Sequence, residues 1–139
     1  MKTKTIRQSV IFKAEPRDVY ELLMDSRKHA KFSGSRAVIS REVGGKISAY
    51  DEYIDGWNVE LVPDKRIVQK WRGSDWPEGW YSTASFELKR FPGGTKLTFV
   101  QTEVPENQYD DIGDGWVEYY WEKMKKLLRE KSQTRKTRH

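Results

Sequence analysis

Few side chains in this sequence could do chemistry, and their spacing argues for binding over catalysis. His29 is the only histidine in the body of the chain, the other being His139 at its end. A lone histidine builds neither a Ser-His-Asp arrangement nor a multi-histidine metal site. It is either a helix-face histidine held by a neighbour, or a group that touches a ligand or moves a proton. There is no cysteine, which removes disulfides, thiolate metal sites and cysteine nucleophiles. Asp110, Asp111 and Asp114 form a cluster, but a calcium loop needs more regular oxygen spacing. Acidic residues ahead of a helix suit its positive end instead. GGKIS (44–48) and FPGGT (91–95) are glycine-rich, yet they border strands rather than opening helices, so neither is a phosphate loop. No catalytic residue, metal ligand or cofactor is expected.

What the sequence has in quantity is aromatic surface, with six Trp, seven Tyr and five Phe. The richest stretch runs from Gly115 to Lys131, GWVEYYWEKMKKLLREK. At about 100° per residue, Trp116, Val117, Tyr120, Trp121, Met124, Leu127 and Leu128 fall within an arc of roughly 140°. The charged residues lie outside that arc, and only Tyr119 breaks the rule. Acidic residues come early and basic ones late, which suits the helix dipole. Such a helix needs a large, concave apolar partner. Gly113 and Gly115 weaken its entry. An irregular approach before Trp116 and a firm helix from Trp116 to about Glu130 are therefore expected. That joint would either be a glycine-loosened helix start with no gating role or leave 105–114 free to act as a flap.

The partner is legible upstream. Residues 4–13 alternate, with Ile6, Gln8, Val10 and Phe12 on one face, and read as a half-buried strand. Pro16 opens a short helix that places Val19, Leu22 and Leu23 together. Asp25 and Ser26 cap a second helix, and Gly34 ends it. Candidate strands follow at 36–43, 46–54, 57–62, 66–73, 80–90 and 96–104, broken by Gly, Pro and Asp turns. No connection is long enough for a parallel crossover. The expected fold is α+β: a helix-grip of six to seven antiparallel strands curled around the C-terminal helix, with two short helices after the first strand. Strand parity sends Gln8, Gln69, Ser82 and Gln101 inward with the aromatic groups. They either bond to one another and the backbone, or face water or a polar ligand group.

Length fits one domain over 1–131. The basic residues Lys2, Lys4, Arg7, Lys131, Arg135, Lys136 and Arg138 supply the net charge of +5 and leave the body slightly acidic. No nucleic-acid partner is expected from such a body, and 132–139 reads as a disordered basic tail. No apolar run approaches the ~20 residues of a membrane span and no signal peptide is evident, so a cytoplasmic location is expected.

Several segments together resemble a known family. They are DSRKHAKFSG (25–34), GGKISAYD (44–51), NVELVPDKRIVQKWR (58–72), WPEGWYS (76–82), GGTKLTF (93–99) and GWVEYYWEKMKKLL (115–128). In this order and spacing they resemble the activator of heat-shock-protein-90 ATPase homologue family, specifically its C-terminal domain. That family lies within the START and birch-allergen-like (SRPBCC) superfamily. The resemblance implies a helix-grip fold with a cavity between sheet and helix, and a chaperone as a possible partner. Eukaryotic members add a separate N-terminal domain, which a chain of this length is not expected to contain. Two positions depart from the pattern: Glu52, where many members have glycine, and Gln101, where stand-alone members often carry histidine.

The functional expectation is a non-enzymatic binding protein whose internal hydrophobic cavity holds a small apolar or amphipathic molecule. Trp71, Trp80, Phe86, Phe99, Trp116, Tyr120 and Met124 would line it, with Phe32 near the entrance. The alternative is a chaperone-cofactor module that works through its surface. A cyclase- or hydrolase-like enzyme is the third reading, for which no paired acid and base can be named.

Overall fold

Alternation along the strands decides how the layers form. The structure, a computed structural model, describes residues 2–137, with side chains through Glu130. The tail expected at 132–139 lies outside the residues described in full. β1 (Thr3–Phe12) leads into α1 (Pro16–Met24) and α2 (Ser26–Ser33). Six strands follow: β2 (Val38–Ile39), β3 (Lys46–Ala49), β4 (Ile54–Val62), β5 (Arg66–Gly73), β6 (Ser82–Phe91) and β7 (Gly94–Pro105). A short 3-10 turn (Glu106–Gln108) precedes α3 (Tyr109–Gly115), a π-helical segment (Trp116–Trp121) and α4 (Glu122–Thr137).

The seven strands form one curved sheet in the order β1-β7-β6-β5-β4-β3-β2, and every neighbouring pair is antiparallel. This is the expected helix-grip. Ile6, Val10 and Phe12 of β1 are buried, as are Ile67, Gln69 and Trp71 of β5, and Leu97, Phe99 and Gln101 of β7. The helix caps also follow the sequence. The Asp25 carboxylate accepts a hydrogen bond from the Lys28 amide at 3.0 Å, and Gly34 closes α2 with φ at +74°.

Three expectations are corrected. The strand expected at 36–43 shrinks to Val38–Ile39, because the Asn58 side chain draws the following backbone away. Its Nδ2 donates to the carbonyls of Ser40 and Glu42, at 2.7 and 3.0 Å. The hairpin turn falls at 50–53, and 54–62 is a single strand with a bulge between Asn58 and Glu60. The helix irregularity falls at the aromatic stripe itself, while 109–115 is regular α-helix.

The reason for that shift lies in Trp116 and Trp121. Each indole N–H reaches a different glutamine on the sheet: Trp116 donates to Gln101 Oε1 at 2.8 Å, and Trp121 to Gln8 Oε1 at 2.7 Å. Five residues apart on an α-helix they would diverge by about 140°. The wider π turn, marked by the Glu122 amide donating to the Val117 carbonyl, brings them round to stack at 5.5 Å and 21°. It also turns Val117 out to solvent, against its expected place on the buried face.

The turn at 50–53 is strained. Tyr50, Asp51 and Glu52 all have positive φ, at 51°, 54° and 74°, where a Cβ is unfavourable. Glu52→Gly is expected to stabilise the protein by roughly 0.5–1 kcal/mol, relief of that strain exceeding the entropy glycine loses. A rise in the urea midpoint at unchanged slope checks this; a fall would show that the Glu52 side chain holds the turn.

Candidate functional site

The inward-facing aromatic groups meet as expected, but they fill the space they were expected to surround. Trp116 lies 4.4 Å from Phe99, 4.4 Å from Tyr120, 5.6 Å from Trp71 and 5.7 Å from Phe86, between ring centroids. Met124 closes the same core beneath them, fully buried. The inward polar residues take the first of the two expected roles. Gln101 Nε2 donates to Ser82 Oγ at 2.8 Å, Ser82 donates to the Trp71 carbonyl at 2.7 Å, and Gln69 donates to Asn58 Oδ1 at 3.1 Å. Gln8 Nε2 donates to the Gly113 carbonyl at 2.9 Å. Each amide thus has a protein partner, which is what burial demands.

A void of about 20 Å³ remains beside His29, Gln69, Phe86 and Trp116. That is room for about one water molecule and for no organic ligand. His29 is buried, and its Nε2 shares a hydrogen bond of 2.9 Å with the Tyr120 hydroxyl. Its Nδ1 has no hydrogen-bond partner among the described residues. Burial lowers its pKa to about 4, so the ring is neutral at ordinary pH. Burial likewise raises the Tyr120 phenol well above its usual range. The pair is a neutral contact, which is the neighbour-held role allowed for His29.

The larger opening lies outside the core. A groove of about 350 Å³ runs between the 50–53 turn, the end of β5, α3 and the π segment. Its walls include Tyr50, Tyr53, Trp71, Asp75, Asp111, Ile112, Trp116, Tyr119 and Tyr120. Tyr50 ties the turn to the π segment by donating its hydroxyl hydrogen to the Tyr119 carbonyl. Gly73 leaves room for Tyr53, since a Cβ there would lie 2.7 Å from the Tyr53 hydroxyl and 3.0 Å from Trp76 Nε1.

Of the eight residues expected to line a cavity, Trp71, Trp116 and Tyr120 border this groove. Phe86, Phe99 and Met124 lie deeper in the core. Phe32 is not at an entrance; it packs behind the groove on His29 and Tyr120, at 4.7 and 5.6 Å. Trp80 is half-buried and packs against the core from the connection before β6, because that strand begins at Ser82 and parity does not extend back to it. Its N–H donates to the Glu103 carbonyl at 2.9 Å. Trp76, expected in a turn, is buried against Trp71 at 5.4 Å. Sequence periodicity could not find Tyr50, Tyr53 or Asp75, which sit in turns. Tyr119 carried a signal: it alone broke the helical face, and it faces the groove.

These features agree with a known family. The sequence profile of the family described as Activator of Hsp90 ATPase homolog 1-like protein matches residues 13–129. The chain belongs to that family. It is 32% identical over 126 residues to the Activator of 90 kDa heat shock protein ATPase homolog 2 of Mus musculus, covering 91% of this chain and 38% of that one. With the Dictyostelium discoideum homolog it is 34% identical over 116 residues, covering 82% of this chain and 30% of the relative. The chain thus spans little more than a third of the length of these curated relatives at most. Among solved structures, an HSP90 activator from Plasmodium falciparum superposes with a TM-score of 0.83 at 26% identity, over 89% of this chain and 95% of that one. No helix among the described residues is long and apolar enough to cross a membrane, and no group of His, Asp or Glu among them could hold a metal ion.

Proposed function

We propose that this chain is a protein–protein module of the chaperone-cofactor kind, whose partner is a 90-kDa heat-shock chaperone. The observation that carries the reading is its similarity, over nine-tenths of the chain, to a relative named as an activator of that chaperone's ATPase. The filled core supports it, since the void beside His29 and Trp116 is only about 20 Å³. A surface suited to such contacts is present on α4, where Lys126 and Arg129 are exposed. The rest of the relatives' length supplies parts this chain does not match, so binding is the primary expectation and stimulation of ATP hydrolysis the secondary one.

The test is sedimentation of the purified chain with the source organism's chaperone, with and without ATP. A complex weakened by Lys126→Glu and Arg129→Glu together is the expected result. Absence of any complex in either nucleotide state overturns the reading.

One observation favours a second reading, that of a small-molecule binder. The open groove is within the size range of small-ligand sites, so the expected apolar or amphipathic molecule moves from the interior to the groove.

A further inference from the structure

We propose that the groove between the 50–53 turn and the π segment binds a small amphipathic organic cation, an ammonium or guanidinium carried on an apolar body. This rests on the groove reading above and adds the charge of the ligand. The wall is a run of aromatic rings, with Tyr50 at 6.0 Å from Tyr119 and 5.6 Å from Tyr120, and Tyr120 at 4.4 Å from Trp116. Aromatic faces carry the negative part of the ring quadrupole and attract a cation stripped of water.

Charge complementarity points the same way. Asp75 and Asp111 both line the groove, and among the described residues no Lys, Arg or His lines it. Among the described residues neither carboxylate has an ion-pair partner. This is a local arrangement, since the whole chain has 26 Lys and Arg against 21 Asp and Glu. Asp75 is held in place by the Tyr53 hydroxyl, which donates to its Oδ1 at 2.8 Å. An anion entering this groove would meet two like charges and no donor cation. The protein already uses the same chemistry next door, where Lys123 Nζ stands 5.6 Å from the centroid of the Tyr119 ring, from outside the groove. A volume of about 350 Å³ suits one small molecule.

The experiment titrates the isotope-labelled chain with benzyltrimethylammonium, and in parallel with benzyl alcohol and benzenesulfonate as neutral and anionic probes of similar shape. Saturable amide shifts at Tyr50, Tyr53 and Gly115 are expected with the cation, at about tenfold higher affinity than with the alcohol. The sulfonate is expected to shift none of them. Asp75→Asn and Asp111→Asn should each weaken the cation severalfold and leave the alcohol unchanged. Asp111→Asn keeps the Tyr53–Asp75 hydrogen bond, so it reads the charge even if Asp75→Asn disturbs the turn. Equal affinity for cation and alcohol overturns the inference and leaves the groove reading standing. No saturable shift with any probe overturns both. A shift produced by a lysine-bearing peptide, with the free cation silent, assigns the site to a protein side chain and overturns the small-molecule occupant.

Discussion

Trp116→Ala is expected to lower the unfolding free energy by about 3–5 kcal/mol, the range for truncating a buried Trp. Trp116 is the side chain that joins the last helical run to the sheet, packed against Phe99, Tyr120, Trp121, Trp71 and Phe86 at once. Its loss leaves a cavity that rings on rigid strands cannot close. It also strands the buried Gln101 Oε1, to which the indole donates, an added cost of roughly 1–3 kcal/mol if no water enters. Domains of this size have about 5–15 kcal/mol in total, so the variant should melt well below the parent or fail to fold. Trp116→Phe separates the two terms, since it keeps most of the packing and loses the donor. Urea unfolding followed by far-UV dichroism measures both variants. An alanine variant within about 1 kcal/mol of the parent would contradict the packing described here.

The second large effect is a dependence of stability on pH that runs through His29. Burial lowers the folded-state pKa to about 4, against about 6.5 in an unfolded chain. The unfolded state therefore binds the proton first as pH falls. Stability from this group is fully present above about pH 6.5, declines as pH drops towards 4, and levels off below that. At about 1.4 kcal/mol per pKa unit the full span amounts to about 3.5 kcal/mol. The groups packed against the ring do not titrate in this window. Tyr120 and Tyr50 are the neighbouring phenols, and burial raises both. Surface carboxylates also titrate near pH 4, so the measurement compares the parent with His29→Gln. The gap in unfolding free energy between the two should change by about 3 kcal/mol from pH 7 to pH 4. A gap that stays constant would mean that His29 is wet enough to titrate normally.

How much of this was legible in the sequence follows from what each signal encodes. Helix caps are local chemistry, and Asp25, Gly34 and Pro16 all stand where the sequence placed them. Strand faces are period-two patterns, so Ile6, Ile67, Phe86 and Phe99 could be assigned inward from alternation alone. Turns carry no period. Tyr50, Tyr53, Asp75 and Trp76, all in connections, were therefore not assigned to the site, though three of the four line its groove.

The sequence by itself determined the antiparallel sheet, the long C-terminal helix and their apolar contact, because hydrophobic periodicity and turn residues act over a few neighbours. It also determined the family, because six separate segments keep one order and spacing. Only the tertiary structure decided whether the frame is hollow. That depends on how rings from five distant elements interlock, and they leave a void of about 20 Å³. The tertiary structure likewise decided the helical register at 116–121. Two indole N–H groups must each reach a different glutamine on the sheet, and a helix can satisfy both only by widening, a requirement set by partners some 15 and 113 residues away in the chain.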